Sequence, residues 1–438
     1  MARKSANFHA APQDFSKIFG LVSKVFSAVH ERRFRRDERD FSRDGPLDPK
    51  LLTTLVLYMV ADGNRRGYEH LLDGFWDEAR GHGLSLPTQT PVSAASFCTA
   101  RPKITSDLLR HMLHEIGEHA FESGARAPRR WHGKRVFAVD GTKINLQRSH
   151  DLHAKFGTPQ GAYCPQVLVS VLLDVCAKLP MDVEVSSFAG NERAHLLAML
   201  PSFEAGDILV LDRGYPSHEI VQDLSLLGVD FLIRVPCAHT FAIIRELQES
   251  GAKDRAFRLQ PPKGCPSHWR PRNLRAVQIR TPDGTLSYFL TSLAQNEFGL
   301  SQLDELYHMR WDVEEFFKLM KSPYIGQGQF RSKMPSGVLQ EIHALILFLA
   351  LTRVCMAAAA EASDRDHDSL SQKAGVLGLA AHLTRILLAH DQQSALHDLD
   401  VLFQRITHAR HRKRPARTFP RRSLRPRLRW GAAGRIGG

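Results

Sequence analysis

The first part of the chain alternates apolar and polar positions with a helical period. In Leu51–Val60, Glu69–Glu78 and Ser106–Phe121 the apolar residues recur every three or four positions, and loops that contain Gly or Pro separate these stretches. This recurrence is typical of helices that bury one face. We therefore predict a helical domain over residues 1–128, which ends within a basic, turn-rich segment at Gly124–Lys134.

Beyond this segment the pattern changes to short apolar runs with many β-branched residues, which are typical of strands. The runs are Arg135–Asp140, Val167–Val175, Asp207–Asp212 and Phe231–Val235. Stretches with helical spacing lie between them, at His195–Leu200 and His218–Leu227. Because strands that alternate with helices form sheets buried on both faces, we predict an α/β domain over residues 129–350.

Residues 236–296 of this domain are more polar and contain several prolines. They also contain a hairpin signal, in which Arg275–Arg280 and Leu286–Leu290 flank the turn sequence T-P-D-G-T. We therefore predict that this segment is a β-rich insertion.

From Leu300 onward the helical pattern returns, and we predict C-terminal helices over residues 351–404. The most apolar run, Ala344–Ala360, is 17 residues long and is interrupted by Arg353. This length and this charge suit a buried helix better than a membrane span. We expect no membrane partner.

The net positive charge of the chain is concentrated at its C-terminal end. The chain has 438 residues, of which 43% are hydrophobic and 24% charged, as in soluble globular proteins. Its net charge of +13 indicates a polyanionic partner. From Val401 to the end there are twelve Arg or Lys residues and no acid. We predict that residues 405–438 form an extended or disordered basic tail that attracts phosphates without sequence specificity.

The cysteines indicate the compartment. All six are scattered without paired spacing, and the basic N-terminus lacks the apolar stretch of a signal peptide. Both features are typical of a cytoplasmic protein with reduced thiols.

Two of the predicted strands end in an aspartate that a glycine follows closely. The first reads V-F-A-V-D-G, with Asp140 before Gly141, and the second reads L-V-L-D-R-G, with Asp212 two residues before Gly214. In α/β sheets, functional groups gather beyond the carboxyl ends of strands. Glycines allow the chain to turn sharply there. We therefore predict that the two carboxylates point into one crevice.

A third acid lies on a helix that we predict from Tyr307 to Lys321. One stripe of this helix, within an arc of roughly 60°, carries Tyr307, Arg310, Glu314 and Lys321. Lys318 points to nearly the same side, and the opposite side is apolar. Such a stripe alone is typical of a solvated face, but two strand-end aspartates elsewhere in the chain favour a functional one.

Three converging carboxylates repel one another unless a cation lies between them. Their hard oxygens favour Mg²⁺ or Mn²⁺. Two such ions, held by carboxylates, activate the attacking oxygen and stabilise the leaving oxygen of a phosphodiester. The pattern therefore predicts that Asp140, Asp212 and Glu314 hold two Mg²⁺ or Mn²⁺ ions.

The other polar side chains of the stripe then have a partner. We predict that Arg310 and Lys321 bind DNA phosphates beside the metal ions. Tyr307 would hydrogen-bond a phosphate or stack on a base, and Lys318 is a further candidate for DNA binding.

The chain also resembles a known family. The spacing Y-(2)-R-(3)-E-(6)-K resembles the signature of insertion-sequence-four-like transposases, and it falls on Tyr307, Arg310, Glu314 and Lys321. The sequences V-D-G-T at Asp140 and L-D-R-G-Y at Asp212 agree with it. The resemblance covers about residues 130–350.

The resemblance implies a DDE-type enzyme with a ribonuclease-H-like core, in which Asp140, Asp212 and Glu314 form the metal-binding catalytic triad. It implies that the other three signature residues contact the DNA of the transposon end. It also implies cut-and-paste transposition, with terminal inverted repeats and target DNA as partners. Residues 1–128 would bind DNA, and a homodimer would hold two ends together.

Two alternatives stay open. One is a metal-dependent nuclease, or a domesticated relative, that cuts DNA without strand transfer. The other is a non-catalytic DNA-binding protein in which the acids are structural and the basic tail binds. We expect a bacterial protein that is cytoplasmic and associated with the nucleoid.

Overall fold

A mixed sheet of eight strands forms the centre of the chain, with helices before and after it in sequence. The computed structural model describes residues 12–63, 67–119, 130–236, 241–280, 285–322, 325 and 329–409. The strands are β1 (Val136–Asn145), β2 (Gln166–Asp174), β3 (Leu179–Ser187), β4 (Ile208–Leu211), β5 (Asp230–Val235), β6 (Asp254–Leu259), β7 (Arg272–Arg280) and β8 (Leu286–Thr291). The helices are α1 (Pro12–Ser27), α2 (Pro49–Ala61), α3 (Tyr68–Gly81), α4 (Ala94–Ala100), α5 (Ser106–His119), α6 (His150–Phe156), α7 (Glu192–Met199), α8 (His218–Leu227), α9 (Ala242–Ser250), α10 (Leu300–Met309), α11 (Trp311–Met320), α12 (Pro335–Ala362), α13 (Gln372–Leu387) and α14 (Gln392–His408).

The helices before the sheet begin at capping residues that the sequence supplies. The Asp48 side chain accepts a hydrogen bond from the Leu51 amide at 2.9 Å, and Pro49 occupies the first position of α2. Such caps satisfy amides that have no partner within the helix. The three predicted helices correspond to α2, α3 and α5. The predicted domain end at residue 128 lies outside the described residues.

These N-terminal helices share one apolar core with the rest of the chain. Both α2 and α5 pack on the long helix α12, and α5 also packs on β3. A buried ion pair reinforces this contact: Arg101 lies 3.0 Å from the Glu341 carboxylate and donates to the Gln340 side chain at 2.9 Å. The described part of residues 1–128 is therefore helical, but it is not packed as a separate body.

The sheet has the strand order β3-β2-β1-β4-β5-β8-β7-β6. The neighbours of β4, which are β1 and β5, run parallel to it, and the other pairs are antiparallel. The order and directions of β1 to β5 confirm the predicted ribonuclease-H-like α/β core. The edge strand β3 was not predicted from the sequence.

The register places Asp140 and Asp212 side by side. On the parallel strands β1 and β4 the last pair is Ala138 with Val210, and each aspartate lies two residues beyond its member of that pair. Because side chains two residues apart in a strand point to the same face, both carboxylates project from the same face of the sheet. They also lie at the same position along the strand direction.

One prediction about β1 is wrong. Asp140 is not the last residue of its strand, because β1 continues to Asn145. The antiparallel partner β2 keeps β1 extended, with Asp140 opposite Val171 and Asn145 opposite Gln166. The carboxylate nevertheless lies where the parallel pairing ends. Asp212 does directly follow its strand, as predicted.

The strands of the predicted β-rich insertion extend the central sheet. The predicted hairpin is formed by β7 and β8, although most of its turn lies outside the described residues. β8 pairs antiparallel with β5, where Thr291 lies opposite Leu232. The insertion also contains the helix α9, which was not predicted. Backbone pairing of β8 with β5 therefore joins this segment to the core sheet.

The apolar run at Ala344–Ala360 lies within α12. Among the described residues, this is the one helix long and apolar enough to cross a membrane, and 89% of its apolar window is buried inside the fold. The predicted boundary at residue 350 falls inside this helix. After it come α13 and α14, and the basic residues 410–438 lie outside the described residues.

Candidate active site

Three carboxylates, from β1, from the end of β4 and from α11, converge on a single guanidinium group. Arg310 lies 2.7 Å from Glu314 Oε1, 3.9 Å from Asp140 Oδ2 and 3.9 Å from Asp212 Oδ2. Arg310 is buried, with 4% of its surface exposed, whereas the carboxylates are partly exposed. The structure therefore brings together the three predicted acids and places a cation among them.

The chain reaches this arrangement because the predicted helix is divided. It consists of α10 and α11, which meet at Arg310. The backbone of this residue stays in the helical region, with φ −56° and ψ −27°, so the axis is interrupted only locally. α11 packs against β1 and thereby holds Glu314 near the two aspartates.

Burial gives Asp140 unusual electrostatics. It raises the pKa of this carboxyl to about 6, against the opposing effects of the Gly141 amide and the Arg310 guanidinium. The Gly141 amide donates to the carboxylate at 2.9 Å. Neighbouring acids raise the pKa further, and Glu314 is one of them. The three carboxylates of the site thus carry more negative charge than the single guanidinium of Arg310 neutralises.

Tyr307 lies deeper than the sequence suggests. Its ring is buried and packs edge-on against Phe289, with ring centroids 4.7 Å apart. Its hydroxyl donates to Asp212 at 3.2 Å. Burial raises the pKa of this phenol, and the Asp212 charge adds to the effect. In this conformation the ring has no exposed face on which a base could stack, so the predicted DNA contact is limited to the hydroxyl.

The two predicted lysines differ in position. Lys321 follows α11, and its ammonium donates to the Thr142 hydroxyl on β1, two residues from Asp140. Burial lowers the pKa of this lysine. Lys318 is exposed and pairs with Glu315 on its own helix. No contact of the described residues joins Lys318 to the carboxylates.

Arg310 also differs from the prediction. A solvent-facing cation was expected to bind phosphates, but in this structure the guanidinium is buried against carboxylates. Contact with DNA would require it to exchange these partners. Its predicted role as a DNA ligand stays a prediction.

Three further residues lie at the site that the sequence pattern did not indicate. Arg234 on β5 lies 4.0 Å from Asp212 and 3.5 Å from the Tyr307 hydroxyl. A charged residue within an apolar strand was the available signal. The other two are Glu192, whose charge acts on Asp140, and the buried Tyr215, whose amide donates to the Asp212 carbonyl. Neither has a local signal, because both positions depend on packing between distant segments.

The residues present fit a divalent cation. Three carboxylates face one guanidinium, and hard oxygen donors in excess of positive charge are the ligands that Mg²⁺ and Mn²⁺ prefer. Burial raises the pKa of Asp140, and the neighbouring carboxylates add a smaller effect in the same direction. A bound cation would relieve the repulsion.

We expect Asp140→Asn to stabilise the metal-free protein at pH 8 by roughly 1–3 kcal/mol. The pKa of this carboxyl is about 6 in the folded chain and its ordinary value is 3.8. Its ionised form therefore opposes folding above pH 6, and this penalty is lost as the pH falls through 6 towards 3.8. Urea unfolding in EDTA should show a larger difference between the two proteins at pH 8 than at pH 5.

The matched control is Asp151→Asn, which removes an exposed carboxylate at the start of α6. It should change the free energy of unfolding little at either pH. If Asp140→Asn were destabilising at pH 8, the electrostatic account of the site would be wrong.

The sequence containing these residues also matches a known family. Residues 131–352 match the family model described as "Transposase DDE domain". Because this match covers half of the chain, the protein belongs to the DDE transposase family. It is a DNA transposase, an enzyme of a family that uses divalent metal ions and acts on DNA.

The similarity to solved structures and to curated proteins is weaker than the family match. Among solved structures, the chain is similar to the cryo-EM structure of the piggyBac transposase synaptic complex with hairpin DNA, with a TM-score of 0.49 and 11% sequence identity. The similarity covers 95% of this chain and 88% of that chain. No curated protein sequence matches significantly.

Proposed function

We propose that this enzyme is an insertion-sequence-four-like transposase that moves its element by cut-and-paste transposition. In this proposal Asp140, Asp212 and Glu314 hold two Mg²⁺ or Mn²⁺ ions. The observation that carries it is the convergence of three carboxylates on the buried Arg310, with distances of 2.7–3.9 Å. The signature spacing supports the same assignment.

The cation, when bound, supplies Lewis acidity at the attacked phosphate. The residues of the chain hold the cation in place. The pairing register of β1 and β4 places Asp140 beside Asp212, and the packing of α11 on β1 places Glu314 near them. Tyr307 and Arg234 orient the Asp212 carboxylate by hydrogen bonding and charge. Such fixed placement removes the reorganisation that the reaction would otherwise require.

The cations at the rim would position DNA. Lys321 lies beside β1 at the opening of the site, where its ammonium can exchange Thr142 for a phosphate oxygen. Lys318 lies farther out and would contribute a weaker contact. Arg310 would contact a phosphate by exchanging one of its carboxylate partners for the phosphate oxygen. The basic tail would add attraction that is independent of sequence.

The partners follow from the reaction. Cut-and-paste transposition needs two transposon ends and a target, so we propose terminal inverted repeats and target DNA as substrates. We also propose a homodimer that holds the two ends together. The helices of residues 12–119, with help from the insertion, would recognise the repeats. The enzyme would act in the cytoplasm, at the nucleoid.

The test uses the full chain and linear DNA that carries the coding sequence with its flanking DNA. With Mg²⁺ we expect double-strand cuts at imperfect inverted repeats, which leave 3′-hydroxyl ends. With a target plasmid present, these ends should join to it. Sequenced junctions should show a short direct duplication of the target.

The control is the same DNA with scrambled flanking sequence, which should be neither cut at defined positions nor joined. Cleavage without joining would favour the nuclease alternative. Cleavage that does not depend on the flanking sequence would contradict recognition of inverted repeats.

A further inference from the structure

Glu192, the first residue of α7, lies against Gly141 and Gly214, which closely follow Asp140 and Asp212 in the chain. A Cβ atom on Gly141 would lie 2.6 Å from Cδ of Glu192, and a Cβ atom on Gly214 would lie 3.8 Å from its Oε2. Both glycines follow the aspartates in sequence. They therefore leave room for a fourth carboxylate beside the two that the sequence predicts.

Two hydrogen bonds hold the beginning of α7 in this position. Arg193 Nε donates to the Gly214 carbonyl at 2.7 Å, which joins the helix to the chain after β4. Two residues later, the His195 ring hydrogen-bonds the Ser170 hydroxyl of β2 at 2.8 Å. The first turn of α7 is thus bonded to the chain after β4 and to β2. These two contacts hold Glu192 in its position.

A second observation points to a ligand at this place. Tyr215 is 1% exposed, and its hydroxyl has no hydrogen-bond partner within the described part of the chain. Tyr215 directly follows Gly214, the glycine that Glu192 approaches, and its backbone amide donates to the Asp212 carbonyl at 3.1 Å. Burial raises the pKa of its hydroxyl well above the usual value, and the charges of Glu192 and Asp140 add to the effect. Buried hydroxyls are almost always satisfied, by water or a bound ion if not by protein.

A structural role explains Glu192 less well. An acid in the first turn of a helix is favourable in itself, and Lys143 is a nearby cation. Glu192 is nevertheless only partly exposed, and its carboxylate lies against Gly141 and Gly214 rather than in open solvent. A helix cap would be served equally by an exposed acid, as Glu219 shows at the start of α8.

We propose that Glu192 is a fourth carboxylate of the metal site, and that it binds the divalent cation directly or through a water molecule that also contacts the Tyr215 hydroxyl. The inference rests on the proposed function, because it assumes that Asp140 and Asp212 hold the cation. In this proposal Gly141 has no side chain because a Cβ atom there would take the space that the Glu192 carboxylate occupies, and a Cβ atom on Gly214 would touch the same carboxylate.

The test measures Mn²⁺ binding by the full chain without DNA, from the electron paramagnetic resonance signal of free Mn²⁺. We expect Glu192→Gln to weaken binding about tenfold. Gly141→Ala should weaken it in the same direction, because the new Cβ displaces the flexible end of Glu192. The double variant should bind no more weakly than Glu192→Gln alone. The matched control, Glu219→Gln, should bind as the unsubstituted chain does.

Asp140→Asn distinguishes a failure of the metal site as a whole from a failure of the Glu192 role alone. If Asp140→Asn leaves Mn²⁺ binding unchanged, the metal site of the proposed function is wrong. If it weakens binding and Glu192→Gln does not, only the role of Glu192 is wrong. Additive losses in the double variant would also overturn that role. Unfolding midpoints of all variants, measured in EDTA, should stay close to that of the unsubstituted chain or above it.

Discussion

Replacing any of the three central carboxylates is expected to lower Mg²⁺-dependent end cleavage by about 10³-fold or more. The variants Asp140→Asn, Asp212→Asn and Glu314→Gln keep side-chain size and remove one charge. Each of the three carboxylates comes from a different part of the fold, and each variant removes one oxygen ligand of the metal ions. The rate should be measured under single-turnover conditions with pre-bound DNA, so that binding and cleavage are separated.

Binding of the transposon end should change little in these variants, because the carboxylates repel phosphates rather than attract them. The matched control is Glu315→Gln, which alters the next residue of the same helix. Its carboxylate is exposed and pairs with Lys318. It should cleave at the rate of the unsubstituted enzyme. Full cleavage by one of the three variants would remove that residue from the triad.

Replacing Arg310 is expected to separate metal binding from catalysis. We expect Arg310→Gln to bind Mn²⁺ more tightly than the unsubstituted chain, because the guanidinium competes with the metal ion for the same carboxylate oxygens. We expect its cleavage rate to fall by about 10²–10³-fold. A carboxylate variant should instead lose both properties. Mn²⁺ titration and single-turnover cleavage on the same preparations measure the two effects.

Arg310→Lys provides the graded comparison. It retains the charge and loses the planar fork that reaches several carboxylates at once. Its Mn²⁺ affinity should lie between those of the other two proteins. If Arg310→Gln bound Mn²⁺ more weakly, the guanidinium would organise the carboxylates rather than compete for them. A normal cleavage rate would exclude a role in the reaction.

The local pattern was enough for much of the fold. The helices α2, α3, α5 and α8, and the strands β2, β4 and β5, follow runs whose period is visible in the sequence. The hairpin of β7 and β8 was visible from its turn residues. β3 was not, because it begins L-P-M-D and alternates with polar residues at a sheet edge. The association of β8 with β5 was not visible either, since the pairing of distant strands leaves no local signal.

Some residues of the site were likewise visible in the local sequence pattern, and others were not. Asp140, Asp212 and Glu314 were found because each stands at a recognisable place in a local element, and the signature spacing supported them. Glu192 was missed, since an acid at the start of a helix is common and nothing in its own segment indicates the carboxylates nearby. Tyr215 was missed because the burial of its hydroxyl depends on the packing around it.

The sequence by itself determined which residue types occupy the strands and helices of the site, and therefore which acids were available. Only the tertiary structure decided their relation. The parallel register of β1 and β4 sets Asp140 level with Asp212, and the packing of α10 and α11 turns Arg310 from a surface cation into a buried partner of three acids. Periodicity is a property of neighbouring residues, whereas register, desolvation and charge balance depend on segments that are distant in the chain.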